Sequence, residues 1–155
     1  MAIPIHDDNP TQRFAIITLL IIAIVIQFIR PNFVNPPVDP KQTIEAVLNV
    51  PPNIDSTLHR SCYDCHSNES RWPWYAQISP VSWLLKSDVN GARAALNFSE
   101  FAALSKKKQL KRLDDACDQV KQGDMPLKIY LPMHPAAHLT DADRGALCTW
   151  FTSLR

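Results

Sequence analysis

The sequence predicts an all-α protein with one N-terminal transmembrane helix. An uncharged apolar run lies close to the N-terminus. Beyond it, apolar residues recur at helical spacing, and no run of alternating apolar and polar residues is long enough to indicate a strand. The chain has 13 Pro and 3 Gly, a balance that favours helices separated by prolines over β-hairpins.

The apolar run covers residues 14–29 and is bracketed by Arg13 and Arg30. Its length, at about 1.5 Å per residue, approaches the roughly 30 Å hydrocarbon core of a bilayer. Apolar side chains cover every face of the helix, which argues against a buried soluble helix. The Arg-Pro-Asn-Phe-Val that follows is a poor cleavage site for a signal peptidase. We therefore expect an uncleaved transmembrane signal anchor at 14–29, with residues 1–13 in the cytoplasm.

The rest of the chain divides into a stalk and a domain. Residues 30–40 hold four prolines, which favour an extended stalk of at most roughly 30 Å. Residues 41–155 form the predicted folded domain. Its helices are expected at five places: 41–49, just before Cys62, 80–96, after Asn97 or Ser99, and after the capping-box pattern Thr140-x-x-Asp143. Gly123 is expected to end the fourth of them.

Charge and histidine placement exclude several function classes. The 16 Lys and Arg nearly balance the 15 Asp and Glu, so nothing indicates a nucleic-acid partner. His134 and His138 lie on a Pro-rich loop without a Cys or Ser nucleophile nearby in sequence. Because no acid–base constellation is evident, we do not expect an enzyme.

The chemistry resides in Cys62-x-x-Cys65-His66, the signature of c-type haem attachment. Positions i and i+3 share one face of a helical turn, so both sulfurs can reach the haem vinyl groups. His66 then follows as the proximal iron ligand. The export element upstream is compatible, because thioethers form on the outer side of the membrane.

Two other uses of a C-x-x-C pair fit less well. A structural zinc site needs a second pair of ligands, whereas Cys117 and Cys148 are single residues far apart. A thioredoxin-like motif needs a βαβ context, which is absent from the predicted elements.

Several residues are candidates for the distal iron ligand. Met125 is favoured because it follows the predicted helix stop and precedes Pro126, which restrains its backbone. An open distal site and a purely structural Met125 also stay possible. The other candidate ligands are Met133, His59, His134 and His138.

A longer set of motifs resembles one known family. These are CYDCHSNESRWPWY at 62–75, ISPVSW at 78–83, NFSE at 97–100, MPL at 125–127 and HPAAHLT at 134–140. They closely resemble the haem-binding domain family, small anchored bacterial proteins related to cytochrome c, over roughly residues 30–153. The resemblance implies a cytochrome c-like fold, one covalent haem c and Met125 as distal ligand. His138 departs from the family pattern.

Further residues are expected to support the haem. Arg71 and Arg93 are candidates for pairing with its propionates, although ordinary surface arginines are an alternative. Four large aromatic side chains can wall the porphyrin or simply fill a core: Trp72, Trp74, Tyr75 and Trp83.

Cys117 and Cys148 are expected to pair in the oxidising compartment outside the inner membrane. Each lies on or beside the apolar face of its predicted helix. A bridge that closes about 30 residues stabilises a fold by roughly 3 kcal/mol. Two unpaired buried thiols are the alternative.

Together these features predict a single-pass protein of the bacterial inner membrane with its haem domain in the periplasm. The expected function is one-electron transfer with redox partner proteins or a membrane respiratory complex. A haem-based sensor or small-ligand binder with an open sixth site is an alternative, as is a haem subunit of a larger redox complex.

Overall fold

The structure, a computed structural model, describes residues 9–155 and is all-helical over that range. The expected cytoplasmic residues 1–8 lie outside the described residues. The chain forms two compact units. Each unit is named for the predicted feature that it contains. In described residues, the anchor unit, with the predicted transmembrane run, comprises 9–33 and 73–86, and the haem unit, with the predicted haem-attachment motif, comprises 34–72 and 87–155.

The anchor unit begins with helix α1 (Pro10–Val25), which continues as a 3-10 turn at Ile26–Phe28. The Asn9 side chain accepts from the backbone N–H of Thr11 at 3.1 Å, and Pro10 occupies the first helical position. These capping features start the helix four residues before the predicted position 14. Pro10–Phe28 is long and apolar enough to cross a membrane, judged by length and composition.

The haem unit begins with three short helices. They are α2 (Ile44–Val47), α3 (Pro52–Ser61) and α4 (Tyr63–His66). The expected helix at 41–49 is reduced to four residues because Thr43 caps it and Pro51 follows soon after. Pro52, at the first helical position of α3, replaces the expected cap at Asp55 or Ser56.

Helix α5 (Val81–Ala95) matches the predicted 80–96 closely and runs through Asn90 and Gly91 without a break. Its first six residues belong to the anchor unit and the remainder to the haem unit. Gly within a helix costs about 1 kcal/mol relative to Ala. Burial of Val89 and of Leu96, just beyond the helix end, offsets that cost.

Two longer helices complete the haem unit: α6 (Lys106–Gln122) and α7 (Asp141–Ser153). The expected cap Asn97 instead caps a 3-10 segment at Phe98–Ala103, and α6 begins after Ser105. Gly123 ends α6 with φ of 75°, the left-handed conformation that favours glycine.

Helices α6 and α7 pack together and carry the Cys117–Cys148 disulfide, whose Cα atoms are 4.9 Å apart. Both cysteines are buried in the main core. The largest fully buried apolar core side chains come from six different elements or connections: Ile44, Leu58, Phe101, Leu113, Leu139 and Leu147.

Part of the expected stalk at 30–40 is hydrogen-bonded to the domain. Residues 34–40 belong to the haem unit. The Asn35 side chain donates to the Ser70 carbonyl at 2.8 Å, and the Pro37 carbonyl accepts from Asn68 at 3.2 Å. These bonds hold the extended proline segment against the domain.

The capping box of α7 generates a stability prediction. The Thr140 hydroxyl accepts from the Asp143 N–H at 3.1 Å, and Asp143 accepts from the Thr140 N–H at 2.9 Å. We expect Thr140→Ala to lower the free energy of unfolding by about 1 kcal/mol. Thr149→Ala, on the exposed face of the same helix, should change it far less. Denaturant unfolding of both variants tests this; equal effects would contradict the capping role.

The same box predicts a pH dependence. Hydrogen bonds from Thr140 lower the pKa of Asp143 below its ordinary value of 3.8. The carboxylate therefore contributes stability above the unfolded-state pKa, and that contribution is lost as pH falls through the lower folded-state pKa. The stability difference between the wild type and Thr140→Ala should thus narrow in acid. If the stability difference between the two proteins stays constant as pH falls through the pKa of Asp143, the charge of Asp143 does not contribute through the capping box.

Candidate functional site

The candidate site is a single helical turn between α3 and α4. Cys62 is both the C-cap residue of α3 and the N-cap residue of α4, with φ of −127° and ψ of −36°. Its carbonyl accepts from the N–H of Cys65 at 3.1 Å and from the N–H of His66 at 2.9 Å. The two cysteines and the histidine therefore lie within one hydrogen-bonded turn, as the spacing of the motif predicts.

The two thiols are partly buried and are not bonded to each other. Burial raises the pKa of Cys62 to about 12 and that of Cys65 to about 11. Such an environment disfavours the thiolate that a redox nucleophile needs. Neutral sulfur in an apolar setting suits a thioether, which carries no charge.

The imidazole of His66 is fixed by the backbone. Its Nδ1 lies 3.0 Å from the Leu96 carbonyl, just past the end of α5. A carbonyl can only accept, so Nδ1 carries the proton and Nε2 keeps its lone pair for a metal. Burial lowers the pKa of His66, which keeps the ring neutral and able to ligate iron.

The ring of Phe98 packs against His66, with centroids 6.1 Å apart. The ring of Tyr63 stacks on Phe98 and on His59, with ring centroids 5.2 Å and 3.7 Å apart. The Tyr63 hydroxyl donates to Glu45, and burial together with that carboxylate raises the pKa of Tyr63. An aromatic column thus runs from the proximal imidazole to the exposed His59.

The segment after the motif is held by half-buried polar side chains. Arg93 donates to the Ser67 carbonyl at 2.7 Å, to Ser70 Oγ at 3.0 Å and to Asn35 Oδ1 at 3.0 Å. Burial lowers the pKa of Arg93. Trp72 Nε1 also donates to Asn35 Oδ1, at 3.2 Å. These contacts fix the exit from the haem-attachment turn.

Met125 lies where α6 ends. Its N–H donates to the Gln119 carbonyl at 3.3 Å, and its half-buried side chain packs against the main core, as Cys62 also does. The distal-ligand role of Met125 stays a prediction.

The other candidate distal ligands are exposed or are stacked on a tyrosine ring. Met133 is 54% exposed. His134 stacks on Tyr130 with centroids 3.9 Å apart, and His138 is exposed. His59 is stacked on Tyr63 and lies 3.6 Å from Asp55.

The supporting residues divide between the two units. Trp72 and Arg71 belong to the haem unit, whereas Trp74, Tyr75 and Trp83 belong to the anchor unit. Arg71 pairs with Asp64 through Nε at 3.0 Å and Nη2 at 3.2 Å, which raises the pKa of Arg71. The haem-pocket role of all five stays a prediction.

Asp64, inside the motif, is a residue that the sequence reasoning missed. Its carboxylate receives Arg71 and also the Tyr130 hydroxyl, at 3.0 Å. It therefore joins the attachment turn to the loop that follows Met125. The acidic residue between the two cysteines was the only sequence signal for this role, and its partners are distant in sequence.

A cavity of about 570 Å³ opens beside Asp64. It is lined by residues of both charges: Ser56, His59, Arg60, Tyr63, Asp64, Glu69, Arg71 and Ala136.

Comparison with known proteins identifies one family. The sequence model of one family, described as a haem-binding domain, matches residues 21–153. No curated protein and no solved structure matches the chain.

The contact between Tyr130 and Asp64 can be tested by a double-mutant cycle. Tyr130→Phe removes the hydroxyl but keeps the ring, and we expect it to lower the free energy of unfolding by about 1 to 2 kcal/mol because a bond to a charged acceptor is lost. Asp64→Asn is the second arm. The two effects should be clearly less than additive. Strict additivity in denaturant unfolding would show that the two residues do not interact.

Proposed function

Because the chain belongs to the haem-binding domain family, we propose that it is a membrane-anchored c-type cytochrome that carries single electrons. The observation that carries this proposal is the turn from Cys62 to His66. It presents two uncharged sulfurs and an imidazole whose Nδ1 is already bonded to Leu96. A bound haem supplies an iron centre that exchanges one electron at a time.

Each residue of the site has one role in this proposal. Cys62 and Cys65 hold the porphyrin through thioethers, and His66 Nε2 binds iron on the proximal side. Met125 provides the distal thioether sulfur. Its half-buried position against the core supports this choice, since Met133 is mostly exposed and His134 is stacked on a tyrosine. His/Met ligation raises the reduction potential relative to two histidines.

The aromatic column supports electron transfer rather than ligand chemistry. Phe98 and Tyr63 connect the His66 imidazole to His59 at the surface through ring contacts of 6.1, 5.2 and 3.7 Å. The ring contacts supply a continuous path of side chains between the two imidazoles. A partner that docks near His59 would therefore exchange electrons with the haem through packed protein.

The proposed location is the bacterial inner membrane, with the haem unit in the periplasm. The apolar helix Pro10–Phe28 supports a single-pass anchor. Covalent haem attachment supports the outer side, because the thioethers form there. A tether raises the effective concentration of the domain near membrane partners. The proposed partners are a membrane respiratory complex or a periplasmic redox protein.

Removal of the motif sulfurs tests covalent attachment. The exported wild type should gain the mass of one haem that resists acid-acetone extraction, whereas Cys62→Ala/Cys65→Ala should lose that resistance. The control variant Cys117→Ala/Cys148→Ala also removes two cysteines, those of the disulfide, and should keep the covalent haem. A colourless wild type with free thiols at Cys62 and Cys65 would refute the proposal.

Replacement of the distal sulfur tests the electron-carrier role. Met125→Ala should lose the weak far-red band of methionine-ligated ferric haem, lower the midpoint potential and let the ferrous form bind carbon monoxide. Met133→Ala should change none of these, since that side chain is mostly exposed. If the wild type already binds carbon monoxide readily, the sixth site is open and a sensor or ligand-binding function replaces the carrier.

A further inference from the structure

The anchor unit exposes a row of large apolar side chains outside its transmembrane helix. We call these residues the interfacial patch: Trp74, Ile78, Val81, Trp83 and Leu84. Trp74 is 70% exposed and Leu84 49%. Val81 and Leu84 are three residues apart on α5 and therefore share one face. Several large exposed apolar side chains within one short segment mark a candidate site of interaction.

The patch is tied to the end of the transmembrane helix by Gln27. The Gln27 side chain donates to the Ser79 carbonyl at 3.0 Å and accepts from the Ser79 N–H at 3.0 Å. It also donates to the Ala23 carbonyl at 2.9 Å. A carboxamide at the edge of the hydrocarbon is costly unless it is paired. Here each polar group of Gln27 has a partner, and those partners fix the patch next to the helix end.

A second set of bonds joins the same two segments. Past the helix end, the carbonyl of Ile29 accepts from Trp83 Nε1 at 2.8 Å and from Ser79 Oγ at 3.3 Å. Ser79 and Trp83, and with them the middle of the patch segment, therefore lie beside the end of Pro10–Phe28. If that helix spans the bilayer, its end and the patch share the depth of the headgroup region. Tryptophan prefers this depth because its ring is apolar and its N–H needs a partner.

The charges of the anchor unit fit a lipid surface. Its described residues contain Arg13, Arg30 and Lys86 and no Asp or Glu. Positive side chains near a membrane surface are attracted to anionic headgroups. The interfacial patch thus combines apolar side chains, indole rings and an absence of negative charge among the described residues of its unit.

We propose that the interfacial patch inserts into the headgroup region of the same membrane leaflet in which α1 ends, so that the chain contacts the bilayer at two places. This inference rests on the proposed anchor, and it assigns Trp74 and Trp83 to lipid in place of the haem-pocket role that the sequence predicts for them. The occupant is lipid, because the patch continues the lipid-facing surface of α1 through the bonds of Gln27 and Ile29.

Spin labels on the full haem-loaded chain test the proposal. With Cys62 and Cys65 attached to haem and Cys117 bonded to Cys148, one introduced cysteine labels alone. Trp74→Cys and Leu84→Cys report on the patch; Leu20→Cys in α1 and Lys107→Cys on the exposed face of α6 are the lipid and water controls. Each variant is reconstituted in vesicles of phosphatidylethanolamine and phosphatidylglycerol and relaxed with oxygen or a water-soluble nickel chelate.

We expect labels at 74 and 84 to show an oxygen-to-nickel accessibility ratio severalfold above that at 107 and close to that at 20. If 20 is in lipid while 74 and 84 resemble 107, the patch proposal is wrong and the anchor stands. If 20 also resembles 107, the anchor itself is wrong. Labels at 74 and 84 that neither reagent reaches would indicate packing against a second copy, which also overturns the lipid assignment.

The Gln27 bonds give a second, independent measurement. Gln27→Leu keeps the anchor apolar but removes both bonds to Ser79. The label at 84 should become more mobile, while the label at 20 should not change. An unchanged spectrum at 84 would show that Gln27 does not hold the patch in place.

Discussion

The contact between the His66 imidazole and the Leu96 carbonyl is the constraint on which the site depends. It selects the tautomer, aims Nε2 away from the backbone and binds the attachment turn to the residue that follows α5. Two neighbouring hydrogen bonds also join the segment after α5 to the residues that follow the motif. The Asn97 side chain donates to Asn68 Oδ1 at 2.9 Å, and the Asn68 N–H donates to Ser99 Oγ at 2.9 Å. Because these hydrogen bonds hold the Leu96 carbonyl in place, the imidazole ring of His66 is fixed in one orientation.

The same constraint explains why the domain buries so much polarity around a short motif. Ser67 and Asn68 are buried directly after His66, and Arg93 reaches the Ser67 carbonyl from α5. Buried polar groups are tolerated when each has a partner, and the network then specifies one arrangement. Asn35 joins this network, which is why the proline segment is part of the haem unit instead of a spacer.

Local signals predicted the elements that depend on neighbours in sequence. Gly123 ends α6, Thr140 caps α7, and the motif forms one helical turn, because each of these features involves residues at most four apart. The contacts that position the site could not be predicted in this way. Asn35 and Arg93 are 58 residues apart, and Asp64 and Tyr130 are 66 apart. Such pairs leave no periodic pattern, and a polar residue in a motif does not reveal which distant donor it will meet.

What separates an electron carrier from a ligand binder in this fold is how firmly the loop after α6 is held. Its start is fixed by the left-handed Gly123 and by the bond from the Met125 N–H to Gln119. Beyond Met125, Tyr130 returns to Asp64 inside the attachment turn. A thioether bonds weakly to iron, so its residence there depends on a backbone that is already in position. In the proposed role of Met125 as distal ligand, restraints on both of its sides would lower the entropic cost of that bond and favour a closed sixth position over one that opens for a small molecule.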